Sequence, residues 1–278
     1  MKDLYIAGER GNVYRFREKD QSLSICNING LVSKEVLMGL ARQNEYLFVG
    51  GKSKIYKVID NKVIKISKAY MKPRPDFHQI HIYDDMLYAT ASATNEIFVF
   101  DLDLVLIKKY TIQPPNVGKV RQKINYNHIN NIYKHKDQYY VCLNWFTAKQ
   151  YASSGVAILD KDFKELKRLE YGWQSHGFIL VDDVYYALCA SSGDINKINH
   201  VNKAGLLVNG KLVFEHDPKY FCKGFVLDED YIYIVGGSIA RRDNRANADG
   251  ILYILNREFD LINNYVWRRT GGFCGVIQ

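Results

Sequence analysis

The chain has 278 residues, a formal net charge of +8 and 47% hydrophobic residues, enough to bury a full core and to exclude wholesale disorder. No apolar run approaches the roughly 18 residues that a membrane span requires, and no membrane partner is expected. The opening MKDLYIAGER lacks an apolar signal core, and the cysteines at 26, 142, 189, 222 and 274 never form a CxxC pair. A cytoplasmic chain without a disulfide framework or a structural zinc cluster is the expectation.

In chain order, two patterns recur. The first is an apolar strand, a short polar turn and a second strand rich in Tyr and β-branched residues, at 38–51, 78–90, 128–142, 176–188 and 222–236. The second is a hairpin with an Asp, Asn or Gly turn, at 11–24, 54–65, 95–108, 154–167, 205–214 and 249–263. The hairpin occurs six times and the first pattern five. The missing unit is split: Cys274 to Ile277 reads as its opening strand and Leu4 to Ala7 as the partner. Unit starts at 38, 78, 128, 176, 222 and 274 give a repeat of about 40–50 residues, the size of a four-stranded propeller blade. The expected fold is all-β: one six-bladed β-propeller over residues 1–278, closed by N- and C-terminal strands that share a blade. Two separate β domains would leave the split unit unexplained.

Blade geometry sorts the residues between two faces. Turns within each hairpin pair are short and acidic, as at 83–85, 101–103, 160–162, 181–183 and 227–230, and are expected to use Asx-type turn chemistry at the bottom. Longer links gather at the top, where a rigid scaffold usually presents binding residues. They carry Trp145, Phe146 and Tyr151, and the arginines Arg241, Arg242, Arg245, Arg268 and Arg269.

The first residues of the inner strands read Met38, His78, His128, His176, Cys222 and Cys274. Pseudo-symmetry makes equivalent side chains converge on the axis, so His78, His128 and His176 are candidate ligands for Zn, Mn or Fe(II), with positions left open for water or substrate. Cys222 could add a thiolate. Asn130, one alternation below His128, could hold a substrate oxygen or orient an imidazole. A metal-free histidine site and a plain channel lining remain alternatives. His81 is expected on the far side of its strand, in the core or supporting the ring from behind, and His135 and His216 at the surface. Asp76, Glu215 and Asp217 lie upstream of inner strands and could supply a general base.

His128-Ile129-Asn130 at a strand mouth, with histidines in adjacent blades and arginines above, resembles the arylsulfotransferase type of six-bladed propeller. There a histidine carries the sulfuryl group, which implies group transfer through a His nucleophile. The ring is also similar to pectate-degrading lyase and carotenoid-cleaving propellers, whose channel histidines bind Mn or Fe. Gly50-Gly51-Lys52-Ser53 follows a strand with no helix behind it, so it is a turn, and no nucleotide cofactor is expected. The resulting expectation is a metal-dependent hydrolase or lyase. His128, His176, Asn130 and Cys222 would be catalytic, and the arginines and aromatics would hold a polar, anionic small molecule or saccharide. A non-catalytic, lectin-like module is the competing class. Nucleic acid is not expected, because no contiguous basic stripe is present.

Overall fold

The computed structural model describes residues 3–32, 35–68, 74–113, 126–147, 153–190, 204–241 and 244–278. It is a six-bladed propeller of four-stranded antiparallel sheets. One blade holds β1 (Asp3–Gly8), β2 (Val13–Arg17) and β3 (Ser22–Cys26), and the next holds β4 (Leu37–Gln43), β5 (Tyr46–Gly51), β6 (Ile55–Ile59) and β7 (Lys62–Ile66). A third contains β8 (Phe77–Tyr83), β9 (Met86–Ala91), β10 (Glu96–Asp101) and β11 (Leu106–Thr111). A fourth contains β12 (Ile129–His135), β13 (Gln138–Leu143), β14 (Ser153–Leu159) and β15 (Glu165–Trp173). The fifth is β16 (Ser175–Val181), β17 (Val184–Cys189), β18 (Gly205–Val208) and β19 (Lys211–Glu215). The sixth is β20 (Tyr220–Leu227), β21 (Tyr231–Ser238), β22 (Gly250–Asn256) and β23 (Leu261–Trp267). Finally β24 (Phe273–Ile277) returns to the first blade and pairs antiparallel with β1 as its innermost strand. The split unit is therefore the clasp of the ring, joining the two ends of the chain in one sheet.

Alternation along each strand makes this ring. Apolar residues on the inner three strands face the neighbouring blade, and six buried clusters fill the six spaces between blades. Between the second and third blades, Phe48 and Ile55 meet Phe77, Leu87, Phe98 and Phe100, with the Phe77 and Phe98 rings edge to face at 5.1 Å. A fully buried aromatic here is worth roughly 3–5 kcal/mol against Ala. Outer strands such as β7, KVIKI, mix exposed lysines with exposed isoleucines, and the charges discourage edge-to-edge pairing.

The bottom turns follow the acidic pattern for a conformational reason. Asp84 and Asp85 (φ 50° and 57°), like Asp182 and Asp183 (49° and 61°), form two-residue loops with both residues left-handed, which Asp tolerates and which suits the strand twist. The carboxylate of Asp101 instead accepts from the Asp103 and Val105 amides, and that of Asp160 from the Asp162 and Lys164 amides. Several of these acids are paired in place, Asp103 with Lys57 and Asp84 with Lys134. Among the described residues no helix is long and apolar enough to cross a membrane.

Candidate functional site

The inner strands share a device that alternation alone does not reveal. In β4, β12, β16 and β20 the register against the second strand slips by one residue, between Leu37 and Gly39, Ile129 and Asn131, Ser175 and Gly177, and Cys222 and Gly224. β8 slips between Phe77 and Ile80, and in the clasp Ala7 faces Gly275 while Gly8 faces Phe273. Each inner strand thus carries a bulge at one height, and a bulge re-aims its extra side chain. The equivalent residues are Met38, His78, Asn130, His176, Lys223 and Cys274. Just below them the strands crowd together: a Cβ on Gly39 would lie 2.7 Å from the His78 carbonyl oxygen, and one on Gly275 2.6 Å from that of Met38. Glycine is required there by close approach.

The bulge corrects two assignments. Lys223, not Cys222, is the ring residue of the sixth blade; Cys222 is fully buried in the cluster between the fifth and sixth blades, where burial pushes its thiol upward. Asn130, not His128, is equivalent to His78 and His176. His128 sits one residue before β12 in the left-handed region (φ 49°), as Asp76 (56°) and Gln174 (47°) do before β8 and β16.

The three histidines nevertheless meet. The His78 ring lies 5.1 Å from that of His128 and 5.9 Å from that of His176, and His128 also rests on Trp145 at 5.2 Å. His78 and His176 are 8% and 5% exposed. Burial, then the neighbouring imidazoles and Lys223, hold His78 well below its ordinary value. Burial, with help from Lys223, His128 and Arg245, brings His176 to about 3. Both are neutral near pH 7. His176 Nδ1 donates to the Gln174 carbonyl at 2.8 Å, leaving the lone pair on Nε2. Asn130 Nδ2 donates to the Ser175 carbonyl at 2.7 Å, fixing the bulge next to His176, while its Oδ1 is buried without a partner. Among the described residues no three His, Cys, Asp or Glu side chains are arranged to hold a metal ion.

Lys223 is the residue of the candidate site that sequence reasoning missed. Its Nζ donates to Glu9 Oε1 at 2.5 Å and lies 3.7 Å from Cys274 Sγ, with side-chain exposures of 10% for the lysine and 6% for the glutamate. Burial alone would neutralise both groups. The pairing outweighs it, so Glu9 stays below and Lys223 above its ordinary value. Arg245 Nη1 stands 3.7 Å from the same Glu9 oxygen. A cavity of about 50 Å³ opens here, lined by Glu9, Lys223, Arg245, Phe221, Ile239 and Ala240, among others. The Phe221 ring meets His176 edge-on at 5.2 Å and so joins this cavity to the histidines. A second, deeper space of about 30 Å³ reaches from His176 and Lys223 down to Gln79, His81 and Asn131.

Other expected residues are distributed as follows. Arg241 and Arg268 are exposed, and Arg269 is exposed with its amide donating to Asp249. Phe146 packs on the apolar cluster between the third and fourth blades, away from the histidines. Tyr151 and Arg242 lie outside the described residues. His81 does not point away from the channel: the bulge restores it to the axial side, where Nε2 donates to Asn131 Oδ1 at 2.7 Å. His216 is not at the surface but 2% exposed, bonded to the Cys189 and Asp217 carbonyls.

No protein-family model matches the chain, and no curated protein matches its sequence. Solved structures do match in shape. A protein of unknown function from Bacteroides caccae superposes with a TM-score of 0.69 at 10% identity, over 99% of this chain and 97% of that one. A chain of the nidogen/laminin complex gives 0.64 at 10% identity, again over 99% and 97%. A catalytically inactive histidine-to-alanine form of virginiamycin B lyase from Staphylococcus aureus, solved with quinupristin, gives 0.53 at 12% identity over 83% and 75%. At these identities the likeness shows the fold, a six-bladed β-propeller, and some of the matching propellers are lyases.

Proposed function

We propose that the top of the channel is a catalytic site for acid–base chemistry, elimination or hydrolysis, on a polar, anionic small molecule or saccharide in the cytoplasm. The observation that carries this reading is the cluster of neutral imidazoles beside a buried cation, in which the His176 tautomer is fixed with Nε2 unprotonated. His176 is the base; His78 and His128 surround it, and Asn130 is a positioning residue. A base held near 3 is weak in the empty site. An arriving anion offsets the part of this lowering that comes from Lys223 and Arg245 and so raises its basicity, while burial, the larger cause, stays. That a matching lyase is inactive as a histidine-to-alanine form agrees with a histidine-based elimination but does not carry it.

His78, His128 and His176 have the donor chemistry of a Zn, Mn or Fe(II) site; among the described residues no metal-holding group of three side chains is formed, and no step is routed through an ion. Metal analysis of untagged protein after reconstitution tests that part separately: stoichiometric metal supports it, and its absence sinks it. For the acid–base reading, His176→Ala should retain the fold and lower turnover by about 10²–10⁴-fold on substrates found by screening uronates, esters and acylated sugars. Unchanged turnover would overturn it. A second reading, a non-catalytic binding module, is favoured by the low exposure of the imidazoles; it predicts ligand affinity that His176→Ala leaves intact and no turnover at all.

A further inference from the structure

We infer that the cavity between Lys223, Arg245 and Phe221 is a subsite for a small monocarboxylate with an apolar flank. The inference deepens the proposed function by naming the ligand class, and rests on that reading only in sharing the mouth. Three observations carry it. One carboxylate, Glu9, faces two cations, the buried Lys223 and the half-exposed Arg245, so these three groups leave a surplus of one positive charge at the mouth, which one carboxylate neutralises. The two cations are also used differently. Lys223 is engaged by Glu9 at hydrogen-bond distance, whereas Arg245 stands off at 3.7 Å and, among the described residues, makes no hydrogen bond with its guanidinium. That planar fork matches a carboxylate with two parallel bonds.

The remaining wall is largely apolar. Phe221, whose ring lies 5.5 Å from Lys223 Nζ, Ala240 and Ile239, the last a 40% exposed aliphatic side chain, line the space with Ser238. A single surplus positive charge suits a monoanionic carboxylate better than a dianion. The ligand's apolar body would then run along Phe221 toward His176, whose ring touches that phenyl edge.

Benzoate, benzyl alcohol and inorganic phosphate are the probes, with affinity read by NMR titration and thermal stabilisation of the whole chain. Benzoate is expected to bind, benzyl alcohol not, and phosphate more weakly than benzoate. Arg245→Ala, at a half-exposed position, should weaken benzoate by about three- to tenfold. Glu9→Gln keeps the size and a hydrogen-bond acceptor but removes the competing charge, so it should tighten benzoate by about tenfold. A merely structural Glu9 would show loss or no change. Equal binding of benzyl alcohol, preference for phosphate, no benzoate binding, or an undiminished affinity in Arg245→Ala each overturns the inference, the last even where Glu9→Gln fails to fold. His176→Ala should still bind benzoate. Failure of the catalytic reading therefore leaves this subsite standing, and failure of the subsite is read independently.

Discussion

Replacing Glu9 by Ala isolates a buried ion pair. The change removes the acceptor 2.5 Å from Lys223 Nζ, in a place where the lysine side chain is only 10% exposed. What remains is a buried ammonium with Arg245 for a neighbour and a sulfur at 3.7 Å, so among the described residues no carboxylate compensates it. Breaking a buried pair by deleting one partner costs about 3–5 kcal/mol, against 0–1 for an exposed pair. For a domain of this size that corresponds to a fall in Tm of about 10 °C. Urea titration at pH 7 should show the loss as a lower midpoint with an unchanged slope. The difference from the parent must also depend on pH. Glu9 has a folded pKa below its ordinary 4.5, so its contribution is complete above that value and disappears as pH falls through the lower folded one. Lys223 has a folded pKa above its ordinary 10.5, so its contribution is complete below 10.5 and disappears as pH rises through the higher folded value. Parent and variant should therefore differ most between about pH 5 and 10 and converge at both extremes. A loss under about 1 kcal/mol at pH 7, or a difference flat with pH, would refute the argument that this pair is buried and mutually dependent.

Other consequences are as direct. His78, His81 and His176 are all held neutral by burial, the last two near 4 and 3, so the unfolded chain takes up protons below pH 6.5 that the folded one refuses. Stability should fall below that pH by about 1.4 kcal/mol per unit for each histidine, and imidazole NMR shifts should stay at their neutral values down to pH 5; titration of any of the three near 6.5 would contradict it. Gly39→Ala should cost about 1–3 kcal/mol by chemical denaturation, because its Cβ would press on the His78 carbonyl and the Ile80 amide, and it should also perturb the His78 resonance. Deleting β24 should yield a chain that associates or aggregates in light scattering, since β1 would become an open inner edge; a stable monomer would show that the clasp is dispensable.

The propeller was legible because its signals are local. Alternation, Asp-Asp turns and the count of six hairpins against five openings placed every blade, and the split unit placed the clasp. The histidine cluster was legible as well, since His78, His128 and His176 all begin or precede inner strands. Its register was not. A bulge inserts one residue without changing residue types, so counting from the strand start put Cys222 where Lys223 sits and His128 where Asn130 sits. The same slip hid the axial position of His81. Lys223 could have been suspected from one signal: a lysine inside the otherwise apolar and small run Phe221-Cys222-Lys223-Gly224-Phe225, where a charge needs a partner. That partner, Glu9, is 214 residues away, and no sequence pattern links the two.

That separation bears on how the molecule comes into being. Three of the bonds at the mouth join opposite ends of synthesis: Glu9 with Lys223, Gln79 Nε2 with the Cys274 carbonyl 195 residues on, and the Glu9 amide with the Gly272 carbonyl. The blades can form one by one from local hairpins, but loop-closure entropy makes the final docking of β24 a late, slow event. The buried ammonium, the carboxylate cavity and the lower ring of close contacts exist only after that step. A nascent or truncated propeller would keep most of its sheets and its three histidines but lack the closed cation pocket beside them, so anion binding at this mouth would double as a report that the ring has closed.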